Sequence, residues 1–244
     1  LKLFNLIFSS ENYLMINYSN FNHNSFAKTK DKEDFWGQIR RTVNGKNVSE
    51  EQIALLVKSI ITNLNLNKKD NVIDLACGNG ALSSKVGNFC NKIYGVDNSE
   101  YMISVAKEYF ESNNILFELS EIITFLKKFP YKTSINKVLC YGSFSFFNEN
   151  LSNNILRIIS EIYPSVKTIF IGNLPDISKH EKFFSKYKPL DLDLKDNNTV
   201  IGIWRSKNEF KDLCLSNGWQ VSFKNMPKGF YSADYRFDAI LSRK

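Results

Sequence analysis

The stretch Val72-Ile73-Asp74-Leu75-Ala76-Cys77-Gly78-Asn79-Gly80-Ala81-Leu82 runs an apolar segment into a turn of small residues and then into a helix-forming one. Gly78 and Gly80 carry no side chain to hold a ligand off the backbone and permit unusual backbone angles, and the following helix offers unpaired N–H groups at its start. Glycines after a strand also serve ordinary tight turns, so the pair alone leaves function and mere turn chemistry evenly balanced. Asp97 shifts that balance. It ends the next apolar run, Tyr94-Gly95-Val96-Asp97-Asn98-Ser99, where an acceptor-only carboxylate can take both hydroxyls of a ribose. Strand, glycine turn, helix, strand and acid together suit a nucleoside with a polar tail.

Nicotinamide and flavin enzymes share this plan, but their fingerprint has a further glycine where Ala81-Leu82-Ser83 stands here, which disfavours a dehydrogenase. At Asp74-Leu75-Ala76-Cys77-Gly78-Asn79-Gly80 the chain resembles class I S-adenosylmethionine-dependent methyltransferases, in the variant with Ala for the first glycine of their first motif. The resemblance runs from about Val48 to the C-terminus. It implies a Rossmann-like sheet of seven strands with a reversed final strand, S-adenosyl-L-methionine as cofactor, its methionine part over Ala76 to Gly80 and its ribose on Asp97. By their place in the pattern, Asp74, Asn98, Met102 and Cys140 join the cofactor site. Met102 is then placed to pack on the adenine, and Glu121 stands where the family has an acid near the adenine amino group.

The end of the fourth strand, Cys140-Tyr141-Gly142-Ser143-Phe144, falls where the family meets both methionine and acceptor. Tyr141 is the substrate-side candidate, with a tyrosine capping the core as the equal alternative. Phe35-Trp36-Gly37-Gln38-Ile39-Arg40-Arg41 resembles the lid with which small-molecule methyltransferases cover the cofactor, Arg41 holding its carboxylate. The alternative for Trp36 is anchoring of an N-terminal helix, and for the arginines a solvated face. Methyl transfer from a sulfonium needs alignment more than acid–base chemistry. If a base is used, His180, Asp176, Tyr141 and Tyr231 are the candidates, although a lone histidine on a lysine-rich helix, as His180 is, is more often merely solvated.

These residues need a scaffold. Short apolar runs at Val72–Leu75, Ile93–Val96, Ile115–Phe117, Lys137–Cys140 and Thr168–Ile171 alternate with helical patterns, which predicts an α/β fold with a mostly parallel sheet and helices on both faces. Ser49-Glu50-Glu51-Gln52 reads as a capping box opening a helix to about Leu64, with Ile53, Leu56, Val57, Ile60, Ile61 and Leu64 on one stripe. Ser99 caps a second helix, and Leu151, Ile155, Ile158, Ile159 and Ile162 mark a third. Leu190 to Asn198 reads as an exposed loop. A helix near Asn208 to Ser216, a strand at Gln220 to Lys224, the Pro227 and Gly229 turn and Tyr235 to Leu241 predict an antiparallel hairpin at the end. We divide the chain into an N-terminal extension and lid segment, 1–47, and a methyltransferase domain, 48–244, with residues 1–14 set aside as an extension ahead of Met15.

With 244 residues and 43% hydrophobic content, one large core is the expectation. The net charge of +7 admits an anionic partner, but the lysines are dispersed and no run of five basic residues occurs, so nucleic acid is disfavoured. Neither the proline-cysteine nucleophile nor the N/D-P-P-Y/F run of nucleic-acid methyltransferases stands at Cys140 to Phe144, which favours a small-molecule acceptor methylated at O or N. Short matches at Gly172-Asn173-Leu174-Pro175-Asp176, the Trp36 segment and Tyr235-Arg236-Phe237-Asp238 resemble methyltransferases found with bacterial surface-sugar biosynthesis. An RNA or protein methyltransferase and a cofactor-binding protein without chemistry are the second and third readings. Cys77, Cys90, Cys140 and Cys214 are isolated, and His23 and His180 are the only histidines, so no metal site is expected. No apolar stretch reaches spanning length. A soluble, cytoplasmic protein is the expectation, with the oligomeric state left open.

Overall fold

The computed structural model describes residues 21–184 and 193–243 together with two short paired segments, Ile7–Phe8 and Leu14–Met15. Most of the 1–14 extension, and residues 190–192 of the expected loop, lie outside the described residues.

The central sheet has seven strands: β1 (Asn71–Leu75), β2 (Lys92–Asp97), β3 (Ile115–Leu119), β4 (Lys137–Tyr141), β5 (Thr168–Pro175), β6 (Trp219–Asn225) and β7 (Arg236–Arg243). Their spatial order is β6-β7-β5-β4-β1-β2-β3. The first five are parallel, and β7 runs antiparallel to both β5 and β6. This is the mostly parallel sheet with a C-terminal hairpin that the alternation predicts. The strand reversal is where the resemblance placed it.

The inner strands read as unbroken apolar runs because both faces are covered. The helices α3 (Glu50–Leu64), α4 (Ala81–Gly87) and α5 (Glu100–Phe110) bury Ile60, Leu64, Val86 and Ala106 on one face. On the other, α6 (Ile122–Lys128), α7 (Glu149–Ile162) and α9 (Lys207–Ser216) bury Leu126, Ile155, Ile159 and Phe210. Ahead of them the chain forms two short helices, α1 (His23–Ala27) and α2 (Phe35–Gln38), and a third, α8 (His180–Phe183), follows β5.

One expectation is corrected. Ser49 stands at the N-cap of α3, but its side chain makes no cap hydrogen bond. Gln52, which would close the box, is used elsewhere: its Nε2 donates to the Gly229 carbonyl and its Oε1 accepts from the Tyr231 N–H, both at 2.9 Å. A long-range tie fixing the Tyr231 loop has replaced a local cap.

After β1 the chain builds outward through β2 and β3, then crosses back to place β4 on the other side of β1. At this switch point the connections leave in opposite directions, and a crevice opens beyond the carboxyl ends of β1 and β4. The N-terminal segment roofs it.

Candidate functional site

The crevice is a cavity of about 600 Å³ lined from β1, β2, β4, the ends of β5 and β7, the N-terminal segment and residues 200–201. Its wall at β1 is the small-residue turn. Ala76, Gly78 and Gly80 adopt φ of 53°, 59° and 76°, the left-handed region where a side chain is strained. The two glycines serve different ends. Gly78 lines the cavity, and a Cβ there would come within 3.1 Å of Ile39 Cγ2. Gly80 does not line it; a Cβ there would run into the Phe117 ring at 2.5 Å and Ala106 at 2.9 Å. The cofactor contact expected of Gly80 is therefore corrected to close packing of α4 on the sheet.

Asp97, at the end of β2, faces this turn. One carboxylate oxygen accepts the Gly78 N–H and the other the Ser99 N–H, each at 2.9 Å. Burial pushes its carboxyl above the ordinary value against the pull of these amides, and Glu121 adds to the rise. Each oxygen retains a lone pair for a further donor. Ser99 caps α5 by accepting the Met102 N–H at 3.2 Å and so sets Met102 against the cavity. Asn98 Nδ2 donates to Glu121 Oε1 at 3.1 Å, bringing two expected residues together beside Ile122.

Asp74 also lines the cavity and is 3% exposed. Ser83 Oγ donates to it at 2.6 Å, yet burial pushes its carboxyl up to about 7, and Asp97 contributes to the rise. Three carboxylates, Asp74, Asp97 and Glu121, thus line the cavity, with Asp97 acting electrostatically on Asp74 and Glu121 on Asp97.

Arg41, also in the lining, is 6% exposed, with its guanidinium 4.5 Å from the Tyr141 ring centre and Nη2 donating to the Tyr141 carbonyl at 3.5 Å. Tyr141 lines the cavity, but its hydroxyl is buried without a hydrogen-bond partner among the described residues. Burial, with Asp238 nearby, pushes that phenol well above its ordinary pKa. Tyr141 as a base is corrected on this ground: its phenol is held in the protonated form, as a hydroxyl that can hydrogen-bond but not take a proton.

Four further expectations are redirected. Trp36 does not line the cavity; its indole N–H donates to Glu50 Oε1 at 3.3 Å and its ring packs on the α3 side of the core, so it anchors the segment. Cys140 is 1% exposed and points into the core on the α7 side rather than into the cavity. His180 is turned to the Ile177 carbonyl, 2.7 Å from Nδ1, and lines no part of the cavity. Asp176 spends its carboxylate on the Ser178 N–H and hydroxyl. Tyr231 does line it. Among the described residues no cluster of potential metal ligands occurs, and the four cysteines are buried and free.

Sequence reasoning missed His23, Asn24 and Gln38 on the roof and Asn173 and Arg236 at the far wall. Gln38 is 1% exposed: its Nε2 donates to the Asp31 and Lys32 carbonyls and its Oε1 accepts from Asn79 Nδ2, at 2.8 to 2.9 Å. The motif residue Asn79 was in plain view, but its partner lies 41 positions away. Arg40 closes the other edge, donating to the Val200 carbonyl at 2.8 Å.

A parallel sheet reversed at its last strand, with a glycine turn facing an acid across its first two strands, is the architecture of the class I S-adenosylmethionine-dependent methyltransferases. A family model for the methyltransferase domain matches residues 66–215, and the chain belongs to that family. An uncharacterized methyltransferase of Schizosaccharomyces pombe is 32% identical over 95 residues, 37% of this chain and 35% of that protein's length. A probable cobalt-precorrin-6B C(15)-methyltransferase (decarboxylating) of Methanococcus maripaludis is 25% identical over 169 residues, 68% of this chain and 84% of its own. Among solved structures, magnesium protoporphyrin IX methyltransferase from Synechocystis with bound SAH superposes with a TM-score of 0.57 at 13% identity, covering 91% of this chain and 100% of that one, a likeness of fold.

Proposed function

We propose that this protein transfers the methyl group of S-adenosylmethionine to an oxygen or nitrogen of a small-molecule acceptor, a saccharide derivative being one class to test. The observation that carries the reading is the bridge from Gly78 to Asp97, which sets a bare backbone turn opposite a ribose-type acceptor at one wall of a roofed cavity. When bound, S-adenosylmethionine supplies a methyl activated by a positively charged sulfur. Asp97 takes the ribose hydroxyls, Met102 and Ile122 flank the adenine, and Glu121, fixed by Asn98, meets its amino group. Ala76, Cys77 and Gly78 leave room for the methionine portion, with Asp74 toward its ammonium and Arg41 toward its carboxylate. Gly80, Cys140 and Trp36 act from behind, by keeping the turn, the β4 end and the roof in place. Alignment in the roofed cavity supplies the rate enhancement, and a hydroxyl or amine acceptor that carries a proton gives it up to solvent, so no base is required of the lining.

Calorimetric titration with S-adenosylmethionine tests this. The wild type should bind, and Asp97→Ala should lose about 1.5–3 kcal/mol of affinity, the worth of hydrogen bonds to a charged group. A wild-type protein that does not bind would remove the donor site and the function with it. Binding would justify a methyl-transfer screen over hydroxyl and amine acceptors, sugars and their phosphates included.

A further inference from the structure

The lining changes character along the cavity: Asp74, Asp97 and Glu121 come from the ends of β1 and β2 and the start of α6, whereas the far wall of Asn173, Phe183, Tyr231, Tyr235 and Arg236, contributed by β5, β7 and the segments beside them, includes no carboxylate. Asn173 organises that wall. Its backbone is left-handed, with φ of 65°, opposite a register shift of β7 between Phe237 and Ala239. Asp238, at this shift, accepts the Asn173 N–H at 2.8 Å, Ser232 donates to the Asn173 side-chain oxygen at 3.1 Å, and Arg236 Nη1 donates to its carbonyl at 2.6 Å. The side-chain amide N–H₂ is thereby turned toward Gly142. Arg41 Nη2 and Asn173 Nδ2 lie 2.8 and 3.4 Å from the point a Cβ on Gly142 would occupy. Among the described residues no hydrogen bond engages Asn173 Nδ2, no partner reaches the buried Tyr141 hydroxyl or Arg41 Nε, and no ion pair involves Arg41 or Arg236. The Tyr141 hydroxyl and Arg41 Nε are buried donors without acceptors, and such groups are costly.

We propose that the acceptor is a monocarboxylic acid with an aromatic or apolar body, its carboxylate seated over Gly142 between Asn173 and Arg236. This rests on the methyltransferase reading and names its substrate class. With Arg41 given to the donor carboxylate, Arg236 is the guanidinium of this wall left for the acceptor, which matches a monoanion better than a phosphate dianion. Phe146, Phe183, Tyr231 and Tyr235 supply flat apolar wall for the remainder. A neutral acceptor would leave these donors unpaired, which is how a polar site rejects the analogue lacking the matching group.

The test uses the full chain saturated with S-adenosylhomocysteine, titrated with 1-naphthoate and indole-3-acetate and with their neutral amides. The acids should bind at least tenfold more tightly than the amides. Arg236→Gln should abolish the preference, and so should Asn173→Asp, which keeps the acceptor for Ser232 and tolerates the left-handed backbone but replaces the N–H₂ donor. Thermal unfolding verifies that both variants fold, and Arg236→Lys should keep part of the preference if Arg236→Gln proves unstable. Equal binding of acids and amides, no binding of either, or a preference that survives in both variants overturns the proposal. The same variants titrated with S-adenosylhomocysteine and with methylthioadenosine, which lacks the amino-acid tail, separate the two sources of carboxylate. Lost affinity for the former alone would assign the site to the donor and overturn it, whereas unchanged affinity for both supports it. Failure of the wild type to bind S-adenosylhomocysteine would strike at the methyltransferase reading itself, and this proposal would fall with it.

Discussion

Asn79 of the glycine turn donates from Nδ2 to Gln38 Oε1 at 2.8 Å and to the Phe35 carbonyl at the same distance. Both side chains are shut from water, at 0% and 1% exposure, so the cavity roof is fastened to the turn it covers. Asn79→Ala would leave a buried acceptor unpaired on Gln38 and a partly buried one on Phe35, and should cost about 1–3 kcal/mol of stability. Denaturant unfolding measures that loss. Calorimetry on the same variant should show weaker S-adenosylmethionine binding, because the roof then has to be ordered at the ligand's expense.

The two glycines of the turn should separate stability from binding. Gly80→Ala forces a Cβ into Phe117 and Ala106 as well as straining φ, and should destabilise by about 2–4 kcal/mol. Gly78→Ala pays mainly the backbone strain, about 1–2 kcal/mol, yet its methyl enters the cavity and should weaken donor binding at least tenfold. Equal loss of binding in the two, once corrected for the folded fraction, would refute this division.

Asp74 makes stability fall as pH rises. Its carboxyl ordinarily titrates near 3.8 and is pushed up to about 7 in the folded chain by burial. Between those values the folded state holds a proton that the unfolded state has lost, so ∂ΔG/∂pH is negative across the window and flat above it. Asp74→Asn removes this contribution. Its stability relative to wild type should climb from about pH 4 to pH 7, read from unfolding midpoints in a series of buffers.

His23 acts in the opposite sense. Its ring packs 4.3 Å from Phe146 and 4.7 Å from Phe21, and burial, reinforced by Arg40, lowers its pKa from 6.5 to about 4. From pH 6.5 downward the unfolded state takes up the proton first, so stability is lost as pH falls through that window. His23→Phe keeps the aromatic packing and should flatten the acid side of the profile. An unchanged slope between pH 4 and 6.5 would contradict the burial of a neutral ring.

The sequence by itself determined the sheet and the donor wall. Period and turn chemistry act over a few residues, so Val72 to Gly80 and Tyr94 to Asp97 could be read as strand, turn and acid without knowing what packs on them. Tertiary structure decided the rest. Asn79 and Gln38, or Arg41, Asn173 and Arg236, meet only because distant segments close over the switch point, and no local spacing encodes such a meeting. Environment decided what each side chain does there: the same burial that makes Tyr141 part of the wall holds its phenol protonated, and Trp36 spends its N–H on Glu50 instead of on the cavity. Protonation and partner choice follow from desolvation and from which groups lie within hydrogen-bond reach, and both are properties of the packed molecule rather than of the chain.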